Sequence, residues 1–199
     1  MDEAHRQGIS IEAADALAGR PMGIPKTGVF GLYDLIGVDL MSDVVDTLED
    51  ILPAGDAFYA AGKNGPVKPM IAKMIEAGFT GEKSGKGGFY REVDGQELAL
   101  DLTTGEMRPR ATQLPMAAQA AAETQAKNGE ALLDLVEPAV GTPENETTFA
   151  RRYLARVLAY AADLIPAVTT SPQDIDDAMK LGFNWVRGPF DMMDALGHA

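Results

Sequence analysis

Gly28-Val29-Phe30-Gly31-Leu32-Tyr33-Asp34-Leu35-Ile36-Gly37 returns 160 residues later as Gly188-Pro189-Phe190-Asp191-Met192-Met193-Asp194-Ala195-Leu196-Gly197. Both stretches open on glycine, carry Phe at the third position and Asp at the seventh, and close on glycine. Upstream of them, Asp15-Ala16-Leu17 with Pro21-Met22-Gly23 parallels Asp177-Ala178-Met179 with Gly182-Phe183 at an offset of 162, a two-residue loop difference. Each copy reads as a short capped helix, a Gly/Pro loop and a second helix. Glycine lets the chain turn tightly, Phe anchors the second helix, and a short Asp carboxylate bonds loop amides. The duplication predicts a mainly α fold of two related units.

Working outward, Ser10 caps a helix over residues 11–17, which Gly19 and Pro21 end. Leu40, Val44, Val45, Leu48, Ile51 and Leu52 give an amphipathic helix that stops at Pro53, and Val67, Met70, Ile71, Met74 and Ile75 give another. Helical periodicity ceases at the glycine-rich run 81–88. Beyond it, Asp94-Gly95 lies between Phe89-Tyr90-Arg91 and the alternating Leu98, Leu100 and Leu102, which predicts a small β hairpin near 88–108. Helices are expected over Pro115–Lys127 and Glu130–Val136. Phe149, Tyr153, Leu154, Val157, Leu158, Ala161, Leu164 and Ile165 form one face of a long helix reaching Pro166, with Arg151, Arg152 and Arg156 opposite. Ser171-Pro172 opens a helix ending near Gly182, and the last begins at Gly188-Pro189. The expected division is a first helical unit with its hairpin over 1–110, connecting helices over 111–142 and a second helical unit over 143–199.

The 199 residues carry 17 Lys+Arg against 30 Asp+Glu, a net charge of −13. So acidic a surface repels phosphate backbones and anionic lipid, which disfavours nucleic acid and membrane partners. No apolar run is long enough to span a bilayer, and Met1-Asp2-Glu3 does not open a signal peptide, so the expected location is the cytoplasm. With no cysteine, disulfides and thiolate chemistry are absent. The two histidines, His5 and His198, lie near the termini, where they read as frayed and solvated; no catalytic residue and no metal ligand is assigned.

Ile175-Asp176-Asp177-Ala178-Met179 running into Gly188-Pro189-Phe190 and Asp194-Ala195-Leu196-Gly197 resembles the C-terminal domain of 3-hydroxyacyl-CoA dehydrogenases. Pro21-Met22-Gly23 with Asp34-Leu35-Ile36-Gly37-Val38-Asp39 matches the same family. Gly85-Lys86-Gly87-Gly88-Phe89-Tyr90 resembles its Gly-x-Gly-Phe-Tyr motif with one glycine more. The insertion Ile24-Pro25-Lys26-Thr27-Gly28 is more like the long, fused bacterial enzymes of fatty-acid β-oxidation, where two such helical domains follow one another. The resemblance covers nearly the whole chain and implies a helical bundle like the C-terminal domain of 6-phosphogluconate dehydrogenase. It makes Asp34, Gly37, Gly85, Gly87, Phe89, Tyr90, Gly188, Pro189, Phe190, Asp194 and Gly197 structural motif positions. Met22, Gly23, Pro25, Lys26 and Phe30 become candidates for the wall of the acyl-CoA cleft.

The resemblance further implies that NAD, the catalytic His–Glu pair and a substrate-binding Asn belong to parts of the enzyme not found in this sequence. The expected role is therefore that of a C-terminal piece of the enzyme, inactive alone. Its partners are acyl-CoA and its own NAD-binding domain. Aligned on the repeat, the first unit lacks a counterpart of helix 149–166, which predicts self-association or another segment folded into the gap. Two alternatives stand beside this: a non-catalytic helical interaction module, and a 6-phosphogluconate-type dehydrogenase, which needs more basic residues than the chain has. Other signals read as bland. Gly85-Lys86 lacks the Ser/Thr of a phosphate loop, and Lys83, Lys86 and Arg91 form a local basic patch on a turn. Asn145-Glu146-Thr147 is a glycosylation sequon in a secreted chain alone. Asp43, Asp46, Glu49 and Asp50 lie on a solvated helix face, and Trp185 is a packing residue.

Overall fold

The computed structural model describes residues 1–61, 65–116, 118–119, 132–137 and 140–197. It is mainly helical, with a three-stranded antiparallel sheet. Two compact units share the chain: residues 1–12 with 29–113, and residues 13–28 with 114–199. Residues 13–28 thus group with the second unit rather than with the span 1–110. The division falls inside one helix, α2 (Ile11–Leu17).

In the first unit, α1 (Asp2–Gln7) ends on left-handed Gly8. Apolar periodicity gives no sign of this helix in the sequence, and it holds His5 half-buried rather than frayed. Helix α3 (Phe30–Ile36) stops at Gly37, whose φ of 124° breaks the helix before α4 (Val38–Ile51) begins. Helix α5 is Lys68–Glu76, with Pro69 in its first turn and Val67 and Met74 buried, as the spacing predicts. In α4 the helix is where expected, but among its residues Val38 alone is fully buried, and Leu40, Val44 and Ile51 stand in solvent.

The sheet runs β1 (Tyr90–Val93), β2 (Gln96–Leu100) and β3 (Met107–Pro109) in sequence order. Tyr90 pairs with Ala99 and Val93 with Gln96, leaving Asp94 and Gly95 as a two-residue turn with φ of 53° and 77°. Positive φ at both positions is the hairpin geometry that Asp-Gly favours. Ala99 and Leu100 are both buried, so the middle strand is covered on both faces at this level, which alternation of leucines alone does not reveal.

Glu12 ties the sheet to the start of α2. Arg108 donates to both its carboxylate oxygens at 2.8 and 2.6 Å, and the Ala111 amide donates to Oε1 at 2.6 Å. Burial works to raise the Glu12 carboxyl, but the Arg108 and Ala111 bonds outweigh it and hold it below the usual value. A carboxyl lowered by folding stabilises above its ordinary range and loses that contribution as pH falls through it. Glu12→Gln is therefore expected to lose about 2 kcal/mol at pH 7. The gap from wild type should close as denaturant melts are taken down through pH 4. A gap independent of pH would contradict the ionised pair.

In the second unit, a 3-10 turn over Arg20–Met22 ends on left-handed Gly23. Helix α6 is Leu132–Val136, and most of the helix expected over 115–127 lies outside the described residues. Helix α7 (Glu144–Asp163) buries Phe149, Ala150, Leu154 and Ala161 and leaves Arg151, Arg152 and Arg156 exposed, the face its periodicity predicts. Helix α8 (Pro172–Phe183) begins at Pro172 without a side-chain bond from Ser171. It runs one residue past Gly182 to left-handed Asn184. Helix α9 (Pro189–Leu196) packs against α6, α7 and α8 and ends on Gly197.

Candidate functional site

Two buried aspartates organise the motif residues, one in each unit. Asp34, on α3 and 3% exposed, accepts the Phe89 amide on Oδ1 at 2.8 Å and the Tyr90 amide on Oδ2 at 2.7 Å. A Cβ built on Gly88 would lie 2.1 Å from Asp34 Oδ1, and one on Gly81 would lie 2.3 Å from the Asp34 carbonyl oxygen. No side chain fits there. In the Gly-Lys-Gly-Gly-Phe-Tyr run, Gly88 is the residue seated on the carboxylate. Burial pushes the Asp34 carboxyl up, aided by Glu82, while the two amides and Arg91 pull the other way. Phe89 is carried by this turn into the core, edge-on to Phe30 with ring centroids 5.0 Å apart.

Asp176, on α8 and 2% exposed, accepts the Phe190 amide at 2.8 Å and the Asp191 amide at 2.9 Å. Gly188 lies against it, with a Cβ position 2.2 Å from Oδ1. Gly28 lies against Asp15 in the same way, at 2.4 Å from its Cβ. The helix aspartate equivalent to Asp15 is therefore Asp176, at an offset of 161, and not the exposed Asp177 that direct alignment selects. Asp177 instead accepts from Gln173 and faces Lys180. Asp191 is held below the usual carboxylate range, first by the Lys180 ammonium at 3.0 Å and then by the Gly188 amide, against burial.

Of the candidate cleft residues, Met22 and Phe30 are fully buried and act through packing. Gly23 is buried too, and its carbonyl accepts the Val186 amide at 2.8 Å. Pro25 is half-buried and Lys26 is exposed, so these two present side chains to solvent. Beside α3 a half-open cavity of about 240 Å³ is lined by Val29, Tyr33, Val45, Phe58, Val67 and Ile71, with Glu49 and Lys68 also on its wall. Lys68 is engaged there by Asp46 at 3.1 Å and Glu49 at 3.3 Å. Trp185 is half-buried and outside this cavity. Among the described residues no cluster of His, Asp and Glu has the makings of a metal site, and His5 is the one histidine.

A dinucleotide needs backbone amides at a helix N-terminus after a parallel strand. The glycine turn at 85–88 does not fit that group. It lies beside an antiparallel sheet, the space at Gly88 is filled by Asp34, and the Phe89 and Tyr90 amides are already given to Asp34.

The family model for the 3-hydroxyacyl-CoA dehydrogenase C-terminal domain matches residues 2–92 and 149–199. The chain belongs to the 3-hydroxyacyl-CoA dehydrogenase family. The two matched segments each contain one copy of the repeat. A Rickettsia felis protein described as a fatty acid oxidation complex trifunctional enzyme is 34% identical over 193 residues, 96% of this chain and 24% of that protein. Its counterpart in Rickettsia prowazekii is 30% identical, over 97% of this chain and 25% of its own length. A Bacillus subtilis protein described as a 3-hydroxyacyl-CoA dehydrogenase is 26% identical, over 99% of this chain and 24% of its own length. The chain thus spans about a quarter of the length of these curated relatives. Within this dehydrogenase domain, Asp176, Glu12 and Gly88 carry contacts that direct motif alignment passed over. The signal for Asp176 is its place beside Ile175, on the buried edge of an otherwise exposed helix turn.

Proposed function

We propose that this chain is the helical C-terminal region of a 3-hydroxyacyl-CoA dehydrogenase. The enzyme oxidises a (3S)-3-hydroxyacyl-CoA to the 3-oxoacyl-CoA with NAD in the cytoplasm, and the dehydrogenation chemistry belongs to a domain outside these 199 residues. What carries the reading is the pairing of a family match in both copies of the repeat with a glycine turn closed to dinucleotide. Among the described residues no helix is long and apolar enough to cross a membrane. On this reading Met22, Gly23 and Phe30 set the path of the loop, while Pro25 and Lys26 face the acyl-CoA. Lys26 offers an ammonium to the phosphates of CoA on an otherwise acidic surface. The NAD-binding domain is the chain's principal partner, and Leu181 and Phe183 are exposed apolar side chains of the second unit for contacts between subunits.

NADH formation from hydroxyacyl-CoA is the direct test. The chain alone is expected to give none, and addition of the NAD-binding domain is expected to restore turnover, with Lys26→Ala raising KM several-fold and leaving kcat unchanged. Turnover by the chain unaided would overturn the separate-domain reading. Failure of the mixture to turn over, with the long enzyme active, would favour the non-catalytic interaction module.

A further inference from the structure

We infer that the solvent face of α4 is a docking surface for a basic amphipathic helix of a partner protein. Leu40, Val44 and Ile51 recur at spacings of four and seven and are 51%, 43% and 68% exposed. On a helix these positions form one row, within about 40° of each other. Beside them runs a second row, Asp39, Asp43, Asp46 and Asp50, also exposed. Lys68 engages Asp46, whereas among the described residues Asp39, Asp43 and Asp50 have no ion-pair partner.

The charge row selects the occupant. A second copy of this chain laid along the face would bring aspartates against aspartates on a molecule of net charge −13. Like charges across an interface cost several kcal/mol and work against association. A helix with an apolar row flanked by Lys or Arg satisfies both rows at once, burying Leu40, Val44 and Ile51 while its cations meet Asp39, Asp43 and Asp50. This is the helix-in-groove mode of recognition, with anchors at helical spacing and register set by charge. The inference is independent of the dehydrogenase reading, because it uses neither the cleft loop nor the aspartate clamps.

The test titrates the 199-residue chain with a fluorescent Leu/Lys amphipathic helical peptide and with its Leu/Glu counterpart. The Leu/Lys peptide is expected to bind, with amide shifts in the wild-type chain centred on residues 39–51, and the Leu/Glu peptide is expected not to. Asp43→Lys/Asp50→Lys and, separately, Leu40→Ser/Val44→Ser should each weaken binding at least tenfold without lowering Tm. Glu92→Lys/Glu106→Lys, a charge reversal of equal size on β1 and the loop before β3, should leave Kd within twofold. Equal loss in that control, shifts spread away from α4, or no binding overturns the proposal. So does a dimer of the chain abolished by Leu40→Ser/Val44→Ser, which would make a second copy the occupant. Loss of peptide binding in the longer enzyme would assign the face to another part of the same polypeptide and likewise overturn it.

Discussion

Asp34→Ala is expected to lower the unfolding free energy by about 3 kcal/mol, because it strips two buried amides of their acceptor at once. Each orphaned buried donor costs about 1–3 kcal/mol, and the bonds lost here are to a charged group. Burial of that charge works in the opposite direction, since the Asp34 carboxyl is pushed up in the folded chain. A carboxyl raised by folding makes the fold lose stability as pH rises through its ionisation, so part of the benefit of the clamp is offset above that range. The amides still dominate, because the carboxylate accepts both of them and joins α3 to the turn at 87–90. Asp34→Asn keeps one oxygen and should lose about half as much. Urea melts followed by the sheet signal measure both variants, and a loss below about 1 kcal/mol for the alanine variant would mean that the turn is held by packing alone.

Phe89→Ala carries an expected loss of about 4 kcal/mol, the middle of the range for deleting a buried aromatic ring. The ring is fully buried, sits edge-on to Phe30 at 5.0 Å and to Tyr33 at 6.4 Å, and follows directly on the glycine seated on Asp34. Packing and clamp therefore meet at neighbouring residues. The two losses should be less than additive in Asp34→Ala/Phe89→Ala, with a coupling of about 1 kcal/mol or more. Additivity within error would separate the clamp from the core. Phe89→Leu keeps most of the volume and should lose about 1.5 kcal/mol.

Helix α7 and the hairpin were legible because each rests on local physics. One apolar stripe at helical spacing selects the buried face of residues 144–163, and Asp94-Gly95 selects a turn that needs two positive φ values. The loop candidates were legible as a group and not one by one. Pro and Gly mark the path of residues 21–28, but nothing local distinguishes the buried Met22 from the exposed Lys26 in its relation to a ligand. The exposed row on α4 was the reverse case. Its spacing predicts a helix with an apolar face, and spacing cannot say that Leu40, Val44 and Ile51 stand exposed among the described residues.

From the linear chain alone came the duplication, the helical class, the hairpin and the family motif, all set by spacings of a few residues and by the special backbone chemistry of Gly and Pro. Tertiary structure decided which aspartate is the clamp, why Gly88 has no room for a side chain, that Glu12 grips Arg108, and that residues 13–28 group with the second unit. Those depend on contacts between positions far apart in the chain, 14 residues for Asp176 and Phe190 and 96 for Glu12 and Arg108, where burial and hydrogen-bond geometry choose among side chains that look equivalent in one dimension.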